Sequence, residues 1–304
     1  MRYLFILNPA AGKQDCTVQL IPQLQQAAVR AGIPVDAVAT CKTEYAGHAK
    51  ALARAAAEEA AKAGEQLHIW TAGGDGTLVE ALTGVQGFAN AAVGCLPYGS
   101  GTMQTNLGLS ATICAAGLDA QVAYGIPKFR RIPLCGGEMA YALSIVEQLC
   151  GQIGRKIEYD IDGEKLTVDC LMCAICNGKA YGGGFLAAPE AVPDDGWMDV
   201  VIIRKVGRLT IAKLLGMYKR GGHFVHGQLT EQAKPYFIYR RAKQVTLRPV
   251  DGRGPIVATA DGECAPCDRV EIALRPQSAR ILLPKAAYER FCAQRQNAAS
   301  AGTR

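Results

Sequence analysis

Hydrophobic and polar positions follow two different rhythms along this chain. Through roughly the first 125 residues, short apolar runs alternate with stretches that repeat at helical spacing. Tyr3–Leu7 is apolar throughout. An Ala-, Gln- and Leu-rich stretch from Asp15 to Ala31 follows, then Pro34–Ala39, an Ala-rich stretch from Gly47 to Ala63, and the run Leu67–Thr71. Gly76–Thr83 is helical in pattern again, and Ala92–Leu96 supplies a fourth apolar run. Strands alternating with helices predict right-handed βαβ units around a parallel sheet.

Beyond Lys128 the rhythm changes. A helix is expected over Met139–Leu149. Lys156–Asp160 and Glu164–Val168 then alternate apolar and polar residues around Asp162-Gly163, the pattern of a hairpin. Further strands are expected at Leu171–Cys176, Met198–Ile203, Gln244–Leu247, Ile256–Ala260, Val270–Leu274 and Ala279–Leu283. Strands joined by Gly and Pro turns predict a mostly antiparallel β-sandwich. The expected organisation is therefore an α/β domain over residues 1–128, a β-sandwich domain over 129–285, and a C-terminal segment 286–304 whose last dozen polar and small residues are expected to be disordered.

Composition fits two globular domains: 304 residues, 49% hydrophobic and 20% charged. The net charge of +6 favours anionic partners such as phosphates or acidic lipid surfaces, but lacks the clustered basic bias of a nucleic-acid binder. The opening apolar run is too short for a signal-peptide core or a membrane span, so a cytoplasmic protein with reduced cysteines is expected. Two C-x2-C patterns stand out among the 12 cysteines. Cys170, Cys173 and Cys176 fall in an apolar strand. Strand alternation would put Cys170 and Cys176 on one face and Cys173 on the other, so core packing is the expected role. Cys264 and Cys267 lack a second pair at zinc-finger spacing.

The strongest chemical signal is Gly73-Gly74-Asp75-Gly76-Thr77, placed between an apolar run and a helix. Its glycines let backbone N–H groups approach phosphate oxygens, and the following helix start adds partial positive charge. A carboxylate among phosphates needs a metal or a hydroxyl to face, which makes Asp75 a candidate contact through Mg²⁺ or water. In a parallel sheet, ligands bind at the carboxyl ends of the strands. Asn8–Lys13, Gly73–Thr77 and Pro97–Thr102 all directly follow strands, so all three are expected on that rim.

This glycine string resembles the nucleotide loop of diacylglycerol-type lipid kinases, NAD kinases and phosphofructokinases. Asn8-Pro9-Ala10-Ala11-Gly12-Lys13, Pro97-Tyr98-Gly99-Ser100 and Asp261-Gly262-Glu263 resemble motifs of the first family, in the same order. So do Asn177-Gly178, Tyr181–Gly184 and Pro193–Asp199. The likeness spans about residues 3–285 and is to the bacterial soluble branch of the diacylglycerol kinase-like family.

The resemblance implies an ATP-dependent lipid kinase with Mg²⁺, acting on diacylglycerol or a related lipid hydroxyl. Gly73, Gly74, Asp75, Gly76, Thr77 and Ser100 would hold the triphosphate. Thr43, Asn8, Lys13 and Asp261 would lie near the nucleotide, and His48 is read as a helix-start residue. Glu263 would act as general base and Asp75 as its catalytic companion. The chain also carries a decoy, Asp162-Gly163-Glu164, at a hairpin tip. A structural Mg²⁺ would be held by Asp195 with the carbonyls of Val192 and Trp197.

The chain departs from the family at Thr102-Met103, where relatives carry Asn-Asp. It departs again at Ile132-Pro133-Leu134, read as the start of the second domain, where they commonly carry an aspartate. The expected partner is a lipid at the inner membrane face, met through the basic, apolar stretch Arg204–Arg220. No nucleic acid is expected, and a homodimer is a permitted assembly. Two other readings share these motifs: an NAD kinase-like enzyme, and a nucleotide or lipid sensor without turnover.

Overall fold

The computed structural model describes residues 1–9, 17–95, 103–105, 107–110, 112–132, 137–181, 184–193, 195–275 and 281–282. The expected disordered tail, Lys13, Ser100 and the whole Pro97–Thr102 loop lie outside the described residues.

The chain forms two compact units, residues 1–100 with 277–304, and residues 101–276. The first unit contains β1 (Arg2–Leu7), α1 (Thr17–Arg30), β2 (Val38–Lys42), α2 (His48–Lys62), β3 (Leu67–Ala72), α3 (Asp75–Gly84) and β4 (Ala91–Cys95). After the second unit the chain returns as β18 (Ile281–Leu282). These strands form one parallel sheet in the order β18-β4-β3-β1-β2. Leu4, Ile6, Leu7 and Ile69 are buried, as both-sided coverage of a parallel sheet demands. On α2, Ala49, Ala53, Ala57 and Ala60 make a buried stripe at helical spacing. Small residues there let α3 come close: a Cβ on Gly84 would meet the Lys50 carbonyl at 2.4 Å. The second predicted strand sits later than expected, because Val35–Ala37 forms a single 3-10 turn before β2.

The second unit holds β5 (Met103–Thr105), β6 (Gly108–Ser110), β7 (Ile113–Gly117), α4 (Leu118–Arg130), α5 (Gly137–Cys150), β8 (Arg155–Ile161), β9 (Glu164–Cys176), β10 (Met198–Arg204) and α6 (Arg208–Lys219). It continues with β11 (Phe224–Val225), β12 (Gln228–Leu229), β13 (Phe237–Ala242), β14 (Gln244–Pro249), β15 (Ile256–Ala260), β16 (Glu263–Cys267) and β17 (Val270–Leu274). Eleven strands join in one antiparallel sheet running β16-β15-β7-β9-β8-β14-β17-β5-β6, with β10 paired to β9 and β13. The 13-residue β9 makes this possible. Its first half pairs with β8, and its second half pairs with both β7 and β10.

The division falls earlier in the chain than the expected boundary at 128. β5 pairs with β17 and β6, and β7 with β15 and β9, rather than extending the parallel sheet. Ile132, read as near the start of the second domain, is therefore in the connection between α4 and α5, well inside that unit.

The cysteine run on β9 is buried, but not with the predicted alternation. Cys170 and Cys173 share one core with Tyr159, Val200 and Leu247, while Cys176 joins Leu171 and Met172 in a second core under α6. The reason is a bulge: Ile203 lies opposite Met172 and Arg204 opposite Cys170, leaving Leu171 as an extra residue. One inserted residue reverses which face every later side chain takes. Among the described residues no helix is long and apolar enough to cross a membrane.

Candidate functional site

In the first unit the sheet order changes direction at β1, which has β2 on one side and β3 on the other. The carboxyl ends of strands flanking such a point form the ligand crevice of open α/β sheets. Asn8 follows β1 and Gly73 follows β3, so two of the three segments expected at this rim meet there, and Thr43, implied by the resemblance, joins them after β2. Backbone bonds fix them there: Asn8 N donates to the Ala72 carbonyl at 2.8 Å and Thr43 N to the Leu7 carbonyl at 2.9 Å. Asn8 Nδ2 donates to Thr77 Oγ1 at 3.1 Å, tying the first strand's exit to the glycine turn.

Each glycine of the turn has its own requirement. Gly73 is needed by packing, since a Cβ there would lie 2.5 Å from Thr77 Oγ1 and 3.1 Å from the Asn8 Cβ. At Gly74 and Gly76 a Cβ would meet nothing within 4 Å, so the space beside those two is open. Gly74 precedes α3 and provides no side-chain cap to that helix. Thr77 N donates to the Gly74 carbonyl at 3.1 Å, and the partial positive charge of the helix start favours a negative ligand. Asp75 opens α3.

One contributor was not found from the sequence. Glu80 Oε1 accepts from Gly47 N at 2.8 Å and its Oε2 from Ala49 N at 3.1 Å, so a carboxylate on α3 caps α2. This holds the Thr43–His48 connection against α3. His48 is the first residue of α2, accepts from Glu44 N and stacks on Tyr45, as a helix-start residue. A Glu three positions after the glycine string is visible in the sequence, but its partner is known only from the packing of two helices.

In the second unit, Asp261 and Gly262 form the two-residue turn of the β15–β16 hairpin, with φ of 46° and 96°. Both central residues in the left-handed region define the primed turn that Asp-Gly favours. Asp261 Oδ1 accepts from Thr112 Oγ1 at 2.5 Å and from Ile113 N at 2.9 Å, so this carboxylate clamps the start of β7. The decoy is built identically. Asp162 and Gly163 have φ of 49° and 92°, and Asp162 accepts from Lys243 N and Gln244 N. Turn geometry therefore cannot separate Glu263 from Glu164. Their partners do: Glu164 is paired with Arg240 at 3.2 Å, whereas Glu263 is exposed and has no ion pair among the described residues.

The residues expected to hold a structural Mg²⁺ do not fit one. Asp195 Oδ1 accepts from Trp197 N at 3.0 Å, and its other oxygen is paired with Arg241. The Val192 carbonyl accepts from Asp195 N at 3.2 Å. Arg241 and Lys243 also lie over the Trp197 ring, at 5.5 and 4.9 Å. A divalent cation needs convergent, unprotonated oxygens, and here a guanidinium already neutralises the carboxylate.

A second group unseen in the sequence is Asp119, in the first turn of α4. It accepts from Ala120 N at 2.8 Å and from the Tyr181 hydroxyl at 3.3 Å, and Tyr181 reaches Tyr218 at 3.5 Å. Desolvation raises its pKa to about 7, although its two hydrogen bonds pull the other way.

A parallel α/β unit with a glycine turn at its switch point, joined to an antiparallel β unit, is the architecture that the family resemblance implied. Residues 2–119 match the diacylglycerol kinase catalytic domain, and residues 112–283 match the YegS C-terminal NAD kinase beta sandwich-like domain. The chain belongs to the diacylglycerol kinase-like family of bacterial lipid kinases. Among its relatives, a diacylglycerol kinase of Staphylococcus carnosus is 22% identical over 81% of this chain and 84% of that protein. One of Bacillus subtilis is 24% identical over 81% of this chain and 85% of that protein. The crystal structure of a diacylglycerol kinase from Bacillus anthracis has the same fold, with TM-score 0.64 at 14% identity over 94% of this chain and 97% of that one.

Proposed function

We propose that this kinase transfers the γ-phosphate of ATP to the hydroxyl of a lipid, diacylglycerol or a related species, at a membrane surface. The observation that carries this reading is the convergence of Asn8, Thr43 and the glycine turn at the switch point of the parallel sheet. Gly73, Gly74, Gly76 and Thr77 cradle the triphosphate, the glycines through backbone N–H groups, and Lys13 and Ser100 add a charge and a hydroxyl. Mg²⁺ arriving with the nucleotide would neutralise charge between its phosphates, and Asp75 is the carboxylate assigned to it. Glu263 takes the proton from the lipid hydroxyl. That it has no ion pair among the described residues supports that role, since a base engaged by an arginine would be a weak proton acceptor.

Contact with the membrane is assigned to α6, which buries Ile211, Leu214 and Tyr218 and exposes Lys213, Lys219 and Arg220. Basic residues near an anionic bilayer contribute about 1 kcal/mol each. The test is transfer of label from γ-labelled ATP into a lipid extract with Mg²⁺, comparing wild type with Glu263→Gln. A labelled lipid made by wild type alone fits the reading and identifies the substrate. Equal labelling by both removes Glu263 from the mechanism, and ATP binding without any labelled lipid points to a sensor.

A further inference from the structure

Within the second unit, a cleft of about 450 Å³ lies where α5 ends and α6 begins, lined by Gly151, Gln152, Ile153, Lys205, Arg208 and Arg253. Three of these are cations and none is acidic. Two of the cations are fixed in place. Arg208 Nε donates to the Leu149 carbonyl at 2.6 Å and its Nη2 to the Gly151 carbonyl at 2.8 Å, at the end of α5 where carbonyls lack helical partners. Arg253 donates to Gln152 Oε1 at 3.0 Å and to the Gly154 carbonyl at 2.6 Å. Its carboxylate partner, Asp251, is shared with Arg155, so one negative charge faces several positive ones.

Lys205 differs from both. Its backbone N–H donates to the Asp169 carbonyl at 2.7 Å, and its stem lies against Gly154, where a Cβ would meet Lys205 Cγ at 2.9 Å. Its ammonium makes no ion pair among the described residues. Two held guanidiniums and one unpaired ammonium around a cleft suit a phosphate.

The surroundings indicate the source of that phosphate. Met139, Leu143, Val146 and Cys150 recur at helical spacing along α5 and lead to the cleft. Met139 is 55% and Val146 57% exposed, and Leu209, beside Arg208, is 86% exposed. A freely soluble phosphate compound gains nothing from such an apolar row, whereas a lipid carries its phosphate next to acyl chains. We propose that this cleft binds the phosphate headgroup of an anionic membrane lipid, with the α5 row and Leu209 resting against the acyl region. The inference rests on the reading that the enzyme works at a bilayer, and it assigns a headgroup site at the start of α6, distinct from Lys213, Lys219 and Arg220 further along.

The test uses the full chain and vesicles of phosphatidylcholine alone or with about one third phosphatidylglycerol, read by co-sedimentation without ATP. Lys205→Ala should weaken binding to anionic vesicles about fivefold and Lys205→Glu about 25-fold, while Lys205→Arg retains it. Val146→Asp should weaken binding to both compositions. Melting curves for each variant separate lost binding from lost folding. Binding of Lys205→Glu equal to wild type, with an intact melting curve, overturns the proposal. So does a Lys205-dependent titration with glycerol phosphate whose saturation leaves vesicle binding unchanged, because the site then takes a soluble phosphate. Turnover of wild type on detergent-dispersed lipid is measured separately. If that fails while vesicle binding follows Lys205, the docking site stands and the kinase reading falls.

Discussion

Replacing single glycines of the 73–77 turn should separate folding from phosphate binding. In Gly73→Ala the new Cβ would sit 2.5 Å from Thr77 Oγ1 and 2.9 Å from Thr77 Cβ. Thr77 is 6% exposed, so it cannot swing aside freely, and any shift strains its bond from Asn8. Overpacking of this kind costs about 1–3 kcal/mol, and loss of the hydrogen bond adds about 0.5–1.5 kcal/mol. A total near 3 kcal/mol should lower the melting temperature by about 10 °C. Gly74→Ala and Gly76→Ala meet no atom within 4 Å, so their stability should stay within about 1 kcal/mol of wild type. Their methyl groups would instead occupy the space assigned to the triphosphate. Losing one charged hydrogen bond of about 1.5–3 kcal/mol should raise the KM for ATP about tenfold to a hundredfold. Thermal melting and steady-state kinetics on the three variants decide the matter. Wild-type melting of Gly73→Ala would refute the packing argument, and unchanged ATP kinetics for Gly74→Ala and Gly76→Ala would remove the phosphate cradle.

Glu263→Gln should lower turnover by about 10²–10⁴ with an unchanged melting curve. Glu164→Gln should keep turnover and lose at most about 1 kcal/mol from its exposed pair with Arg240; equal kinetic losses in the two variants would undo the assignment. Asp119 holds its proton up to about pH 7 when folded, whereas an unfolded carboxylate loses it near pH 4. The native state therefore binds the extra proton between those values, and stability should fall by up to about 4 kcal/mol as pH rises from 4 to 7. Asp119→Asn should flatten that slope in denaturant melts across the range; a slope equal to wild type would show that the group is not desolvated. Because Asp195 is neutralised by Arg241, EDTA should leave the melting temperature unchanged. A Mg²⁺-dependent rise that disappears in Asp195→Ala would restore the metal site.

Local patterns carried a large part of this protein. Alternation of apolar runs with helical stretches gave the parallel unit, because burying both faces of its sheet leaves little choice of residue. The glycine string and Asn8 could be placed on one rim because strand ends in such sheets converge by topology, whereas Thr43 was pointed to only by the family resemblance. The bulge at Leu171 could not be read, since it depends on how β10 aligns with β9 and then reverses the faces of Cys173 and Cys176. Nor could the boundary at residue 100, because a strand as short as β5 is defined by its partner β17, more than a hundred residues away, and β6 in turn by β5. The sequence by itself determined which residue types could bind phosphate, turn a hairpin or fill a core, because those follow from local geometry and chemistry. Only the tertiary structure decided that Arg241 neutralises Asp195, that Asp119 is desolvated and that Glu263 has no ion pair among the described residues, because charge and solvation depend on neighbours that the chain brings from far away.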